Sequence, residues 1–245
     1  MIAVTGHFER AKVKTISSKF SSALRTQGLE VERVGISSKK LERGGFEIIC
    51  VVGGDGSLLR VARGVKGTPL LGVAAGTRCC LMQVKENGIL RAAKKIAKKS
   101  YSVEKKARLA GKVSGKKLPL ALNELLIAPK KSGSLINLEA QFGRRNEKFS
   151  CDALIIATPT GSTGHAYSAG GKKLGRGEKK FVVVPSNPLN REGKAFAVGQ
   201  GTKISVKNLN KSQALEVVVD GKERFPLKGK LLIEKGKSAE LLKLK

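Results

Sequence analysis

Apolar residues in the first hundred positions fall alternately into strand-like runs and helical spacing. "MIAVTG" is a short apolar run, and Val13, Ile16, Phe20 and Leu24 then recur at helical spacing between Lys12 and Thr26. "LEVERV" returns to strand alternation, and "FEIICVV", Phe46 to Val52, has six apolar residues of seven, the mark of a strand buried on both faces. Leu58, Leu59, Val61 and Ala62 resume the helical period with Arg60 and Arg63 between them. The strand "TPLLGVAA" and a basic amphipathic helix from about Gly88 to Lys99 complete the series. This alternation predicts an α/β domain with an open, mostly parallel sheet and helices on both faces. From Val103 the period changes. "KARLAGKVSG", "LPLALNELLIAP", "LINLEAQFG", "DALIIATP", "KKFVVVPS", "TKISVKN", "ALEVVVDG" and "KLLIEKG" are short, strand-like and bounded by Gly, Pro, Asn or Ser. They predict an all-β, sandwich-like domain, which divides the chain into residues 1–102 and 103–245.

A chain of 245 residues can form two cores of this size. No stretch approaches the roughly 18 uninterrupted apolar residues of a membrane span, and the start "MIAVTGHFERAKVK" lacks the order of a signal peptide. A soluble, cytoplasmic protein without membrane contact is expected. Cys50, Cys79, Cys80 and Cys151 show no CxxC spacing, which points to a reducing compartment without structural zinc. His7 and His165 are far apart in sequence and suggest no metal site.

The formal net charge of +29 would attract any polyanion. Its lysines are nevertheless dispersed along the chain, and eight Phe and two Tyr form no interleaved basic and aromatic pattern. A lysine-rich solvated surface accounts for the charge better than a nucleic-acid function does.

Two stretches carry candidate chemistry. In "VVGGDGSLLR" the apolar run stops at Gly53, Gly54, Asp55 and Gly56 before the helix resumes. Such a strand-to-helix turn aims backbone N–H groups and the positive end of a helix at one point, where phosphate binds. The turn matches neither GxxxxGK[ST] nor GxGxxG, and glycines alone could mean a tight bend. In "SCDALIIATPTGSTGHAYSAGG" a strand opens into Thr158, Thr160, Ser162 and Thr163 around Gly161 and Gly164. These hydroxyls could cap a helix, but they are too many for one cap and could hold ribose or phosphate oxygens.

Both stretches, in order, resemble the NAD kinase family. "GGDGSLLR" is similar to its GGDG(T/S) motif, Asn123–Glu124 to its Asn-Glu pair, "DALIIATPTGST" with "SAGG" to its glycine and threonine signature, and "VVDG" to a later element. The resemblance implies transfer of a phosphoryl group from ATP to the 2′-hydroxyl of the adenosine ribose of NAD, giving NADP. It implies ATP and NAD as substrates, Mg²⁺ carried by the donor, and a homo-oligomer, dimer or tetramer. It assigns Asp55 as the catalytic base beside Gly54, Gly56 and Arg60. It gives Asn123 and Glu124 to the adenosine, Asp152 to the nicotinamide half, and Thr163, Gly164, His165, Ala166, Tyr167 and Ser168 to the adenosine pocket. Lipid kinases and phosphofructokinases are similar at GGDG alone. A lipid or polyol kinase, or a non-enzymatic nucleotide- or nucleic-acid-binding protein, is therefore the alternative.

The chain departs from the family pattern at three places. His165 stands where a tyrosine is usual, and "GVAAGTRCCLM" replaces an Asn and a Gly-Phe-Leu run. The chain also ends at "LLKLK", where members commonly continue into a segment that packs back on the first domain, so a compact member is expected. Lys172, Lys173, Arg176, Lys179 and Lys180 crowd the second signature, a density suited to inorganic polyphosphate as a further donor.

Overall fold

The computed structural model describes residues 1–76, 79–131, 133–175, 177–189 and 194–245. Arg176, singled out in the sequence, and Thr77 and Arg78 of the "GVAAGTRCCLM" run lie outside the described residues. The chain divides into two compact units, Met1–Lys106 with Ser238–Lys245, and Ala107–Lys237.

The first unit is an α/β domain with a parallel sheet. Strands β1 (Ile2–Gly6), β2 (Val31–Gly35), β3 (Ile48–Gly53) and β4 (Leu70–Ala74) lie in the order β2-β1-β3-β4. Every residue of β3 is buried, as its apolar run requires. Ile48, Cys50 and Val52 face one side, where they pack with Val13, Ile16, Phe20 and Leu24 of α1 (Ala11–Thr26) and with Ala92, Ala93 and Ile96 of α4 (Ile89–Ala97). Ile49 and Val51 are fully buried on the other side, and α3 (Asp55–Gly64) packs against β3 and β4. The short helix α2 (Lys40–Arg43) precedes β3.

The second unit is all-β. Its larger elements are β5 (Tyr101–Val113), which enters from the first unit, β7 (Glu124–Pro129), β8 (Ile136–Phe142), β9 (Arg145–Cys151), β10 (Ala153–Ala157) and β11 (Lys180–Ser186). β12 (Phe196–Gly199), β13 (Ile204–Asn208), β14 (Leu215–Val219), β15 (Glu223–Pro226) and β16 (Lys230–Leu244) follow, and the two-residue β6 (Lys116–Lys117) pairs with β5. One antiparallel sheet runs β12-β11-β10-β7-β14-β15. Another pairs the start of β16 with β13, then β8 and β9. Alternation puts Leu125, Ile127, Leu154, Ile156, Val217 and Val219 of the first sheet into one core with Leu138, Ala140, Phe142, Ile204, Val206 and Leu231 of the second. This is the sandwich that the strand spacing predicts.

The last strand belongs to both units. The terminal residues of β16 themselves rejoin the first unit, where Leu241 pairs in parallel with Leu70 of β4 and Leu242 is fully buried. The Leu242 carbonyl accepts the Gln83 side-chain amide, and the Lys245 N–H reaches the Ser100 carbonyl at 3.1 Å. At Leu70 the strand covers the edge of β4 away from β3, which Val84 covers at Val73. Leu242→Ala is expected to cost about 2–5 kcal/mol, the range for emptying a buried leucine site, read as a lower urea midpoint. Lys243→Ala, on an exposed neighbour, should stay within about 0.5 kcal/mol of the parent.

Candidate functional site

In the first unit β3 ends at Gly53 and α3 starts at Asp55, so Gly54 alone makes the turn from strand to helix. A Cβ on Gly53 would lie 2.5 Å from the Ser57 hydroxyl, so a side chain there would displace the first helical turn. Around Gly54 a Cβ would meet nothing within 4 Å, which leaves the helix start open. The first N–H groups of a helix have no intrahelical partner and carry the positive end of its dipole, so this opening suits an anion. Asp55 does not cap its own helix. Its Oδ2 accepts the Cys80 N–H at 2.8 Å and its Oδ1 the Leu81 N–H at 2.9 Å. An ionised carboxylate has about four acceptor positions, so these bonds leave Asp55 able to accept more. Arg60 is exposed and donates to the Ser37 hydroxyl at 2.9 Å, toward the segment after β2.

The second unit holds Asn123 and Glu124 at the start of β7. Their backbone is saturated from two sides. The buried Asp220 carboxylate accepts the N–H of Leu122 at 3.1 Å, of Asn123 at 2.7 Å and of Glu124 at 3.3 Å. The Asn123 carbonyl accepts the Thr158 N–H at 2.8 Å, and the Thr158 hydroxyl donates to the Leu122 carbonyl at 2.6 Å. Gly161 presses on the same segment, where a Cβ would come within 2.7 Å of the Asn123 Cα. The side chains are the reverse case: among the described residues neither the Asn123 amide nor the Glu124 carboxyl makes a hydrogen bond within the protein. Glu124 is only 7% exposed. Burial first, and the Asp220 charge second, push its carboxyl up to about 7. Arg108 on β5 is fully buried, donates its Nε–H to the Lys237 carbonyl at 2.7 Å, and is attracted by the Asp220 charge. Burial pulls its guanidinium below the usual range.

The glycine and threonine signature folds back over the outer face of its own strand. Ile155 and Ala157 of β10 point away from the sandwich core and are covered by Ala166 and Leu174. Ala166, on the short helix α5 (His165–Ser168), is fully buried, backbone included, and packs the signature onto β10. Thr163, Gly164, His165, Tyr167 and Ser168 are exposed. The hydroxyls are engaged more locally than their number suggests. Ser162 donates to the Pro159 carbonyl at 2.9 Å, Thr163 to Thr160 at 3.2 Å and Ser168 to Gly164 at 3.4 Å, because each helical turn leaves a carbonyl within reach. Lys173 lies 4.0 Å from the Tyr167 ring centroid.

Asp152 is exposed at the opposite end of β10 and accepts the Asn187 side-chain amide at 2.9 Å. Since Ala157 is the register partner of Glu124, the strand separates Asp152 from the Asn123 segment by about 20 Å. The structure thus brings Asn123, Glu124 and the start of the signature together and leaves Asp152 apart, while Gly54, Asp55, Gly56 and Arg60 belong to the first unit. Sequence reasoning missed Arg108 and gave Asp220 no role, although Asp220 stands in the "VVDG" element that resembles the family. The Asp-Gly pair there also marks a hairpin turn.

Two family models match the chain, the ATP-NAD kinase N-terminal domain over residues 6–101 and the ATP-NAD kinase C-terminal domain over residues 122–242. The NAD kinase of Archaeoglobus fulgidus is 31% identical over 221 residues, which cover 89% of this chain and 84% of that protein. The NAD kinase of Methanopyrus kandleri is 28% identical over 240 residues, 94% and 87% of the two chains. Among solved structures, the Archaeoglobus fulgidus NAD kinase in complex with ATP superposes with a TM-score of 0.86, at 28% identity in the structural alignment, covering 100% of this chain and 94% of that one. A yeast NADH kinase complexed with NADH has the same score of 0.86 at 16% identity, covering 100% and 83%, a likeness of fold.

The displaced Glu124 carboxyl makes stability depend on pH. Below about pH 4.5 the group is protonated in both folded and unfolded chains; as pH rises to about 7 the unfolded chain ionises first, so stability falls across that window. Glu124→Gln removes the ionisation. The variant should match the parent near pH 4.5 and exceed it by up to about 3 kcal/mol at pH 8 in urea unfolding. Equal differences at the two pH values would place the Glu124 carboxyl in an ordinary environment.

Proposed function

The chain belongs to the ATP-NAD kinase family, and from that membership we infer that it transfers a phosphoryl group from ATP to the 2′-hydroxyl of the adenosine ribose of NAD, making NADP. The observation that carries the reading to particular residues is the pair formed by the Asn123 amide and the Glu124 carboxyl. Both are held by saturated backbone and neither has a protein partner among the described residues. A purine edge needs one donor and one acceptor side by side, which an amide supplies, and ribose hydroxyls donate to a carboxylate. Burying such groups without partners is costly, so a ligand that satisfies them gains what the empty site lacks. The relatives give no support to the lipid-kinase or nucleic-acid alternatives.

Asp55 is the base. A secondary hydroxyl is a poor nucleophile, and a carboxylate that still has free acceptor positions can orient it and take its proton as the phosphoryl group arrives. The open helix start at Gly54, Asp55 and Gly56 holds phosphate oxygens, and Arg60 adds positive charge nearby in sequence. Thr163, Gly164, His165, Tyr167 and Ser168 line the adenosine side, held in place by the buried Ala166, and Asp152 serves the nicotinamide half. Mg²⁺ comes with the donor. Such an ion needs phosphate oxygens, water and one or two carboxylates, not a protein cage, and the turn offers it Asp55. Bound there it would neutralise charge on the transferred group. The enzyme acts in the cytoplasm, as a dimer or tetramer.

Incubation with NAD, ATP and Mg²⁺ should yield NADP by mass spectrometry. Asp55→Asn should lower kcat by about 10²–10⁴-fold with the fold retained by circular dichroism; near-normal turnover would remove Asp55 from the chemistry. Polyphosphate is the further donor. Lys172, Lys173, Lys179 and Lys180 are exposed, and no ion pair among the described residues uses them, so they remain available to a long polyanion. Activity with polyphosphate should fall faster with added KCl than activity with ATP. Identical salt slopes, or no polyphosphate activity at any salt, would leave these lysines as surface.

A further inference from the structure

We propose that Asp220 is a positioning residue for NAD recognition, its carboxylate fixing the backbone of Leu122, Asn123 and Glu124 so that the Asn123 amide and the Glu124 carboxyl face the adenosine. The inference rests on the adenosine-binding reading of those two residues.

Asp220 and Gly221 have φ of +48° and +66°, and the Lys222 N–H bonds the Val219 carbonyl at 3.0 Å. These are the features of the Asp-Gly turns that join antiparallel strands, here β14 and β15. An aspartate serving only such a turn would direct its carboxylate to solvent. This one is 5% exposed and collects three successive N–H groups from the segment that leads into β7. Its own N–H returns to the Glu124 carbonyl at 3.0 Å. Three consecutive amides aimed at one carboxylate define the peptide planes on both sides of Asn123, and the planes define where the next two side chains leave the chain. The bond to Asn123 is short and the three converge on one carboxylate, so the orientation is stiff.

The same carboxylate acts electrostatically on Glu124. The charged group acting on Glu124 is Asp220, at the end of β14, and Asp220 in turn attracts Arg108 on β5. On the β10 side Ala157 and Thr158 carry no charge. A like charge beside Glu124 favours its protonated form, so NAD, which gains from the ionised form, should bind better as pH rises through neutrality.

The test uses Asp220→Asn, which tolerates the same positive φ and keeps one acceptor oxygen while removing the charge. The KM for NAD should rise about tenfold or more, with the KM for ATP within about twofold. The pH below which NAD binding weakens should also move lower, because Glu124 loses its like-charged neighbour. A merely structural aspartate would lower stability and scale activity for both substrates without moving that limb. An unchanged NAD KM, or an unmoved limb, overturns the proposal. Asp220→Gly, equally suited to the turn, is the second variant; failure of both to fold would show a structural role and overturn it as well. Glu124→Gln separates the premise: if NAD binds this variant normally by calorimetry, the adenosine reading fails, whereas weakened binding with Asp220→Asn unaffected refutes only the positioning role.

Discussion

A carboxyl group withdrawn from water has to be met by hydrogen-bond donors, by a cation or by a proton, and at the start of β7 the protein uses all three. Asp220 takes three backbone N–H groups and attracts the buried Arg108. Glu124, beside it, has neither and is held near neutrality instead. The two carboxyls divide the work because burial first, and the Asp220 charge second, disfavour a second negative charge at Glu124. With Asp220 ionised and satisfied, the local backbone is rigid; with Glu124 unsatisfied, the site retains an affinity for hydroxyl donors. Thr158 and Gly161 extend the same logic from β10, one by donating to the carbonyls of the segment and the other by lacking the side chain that would prevent contact.

What could be read from the sequence followed from how much each element buries. β3 is apolar up to its closing glycine, β14 is apolar but for Glu216, and the glycines at the end of β3 stand at an open turn, so these elements were legible. The strands that the spacing does not reveal are β9, β12 and β15, "RNEKFSC", "FAVG" and "ERFP". Each lies at an end of its sheet path. An edge strand buries little and tolerates charge and proline, so its pattern falls below that of its neighbours.

The candidate site was legible as a set of residues and not as a division of labour. Asn123 and Glu124 stand out in sequence as an amide and an acid in an apolar run, but that run does not show which polar groups satisfy the backbone and which remain for a ligand. Arg108 stands in "KARLAGKVSG" with nothing nearby in sequence to mark it, yet it is wholly buried and attracted by Asp220 far along the chain. The hydroxyls of the signature read as ligand contacts, yet those of Ser162, Thr163 and Ser168 close turns of their own loop. Local sequence specifies who is present; long-range partners decide what each is free to do.

The return of β16 to the first unit bears on how the protein is made. On the edge away from β3, β4 pairs with Val84 at Val73 and with Leu241 at Leu70, so during synthesis the Leu70 end of that edge stays open while the second unit is still being translated. Contacts between such distant positions form slowly, and an unpaired strand edge invites association with other chains in the meantime. Nascent chains stalled before the last strand are therefore the species most exposed to aggregation, and the dispersed lysines, by mutual repulsion, would keep them apart until the edge is closed.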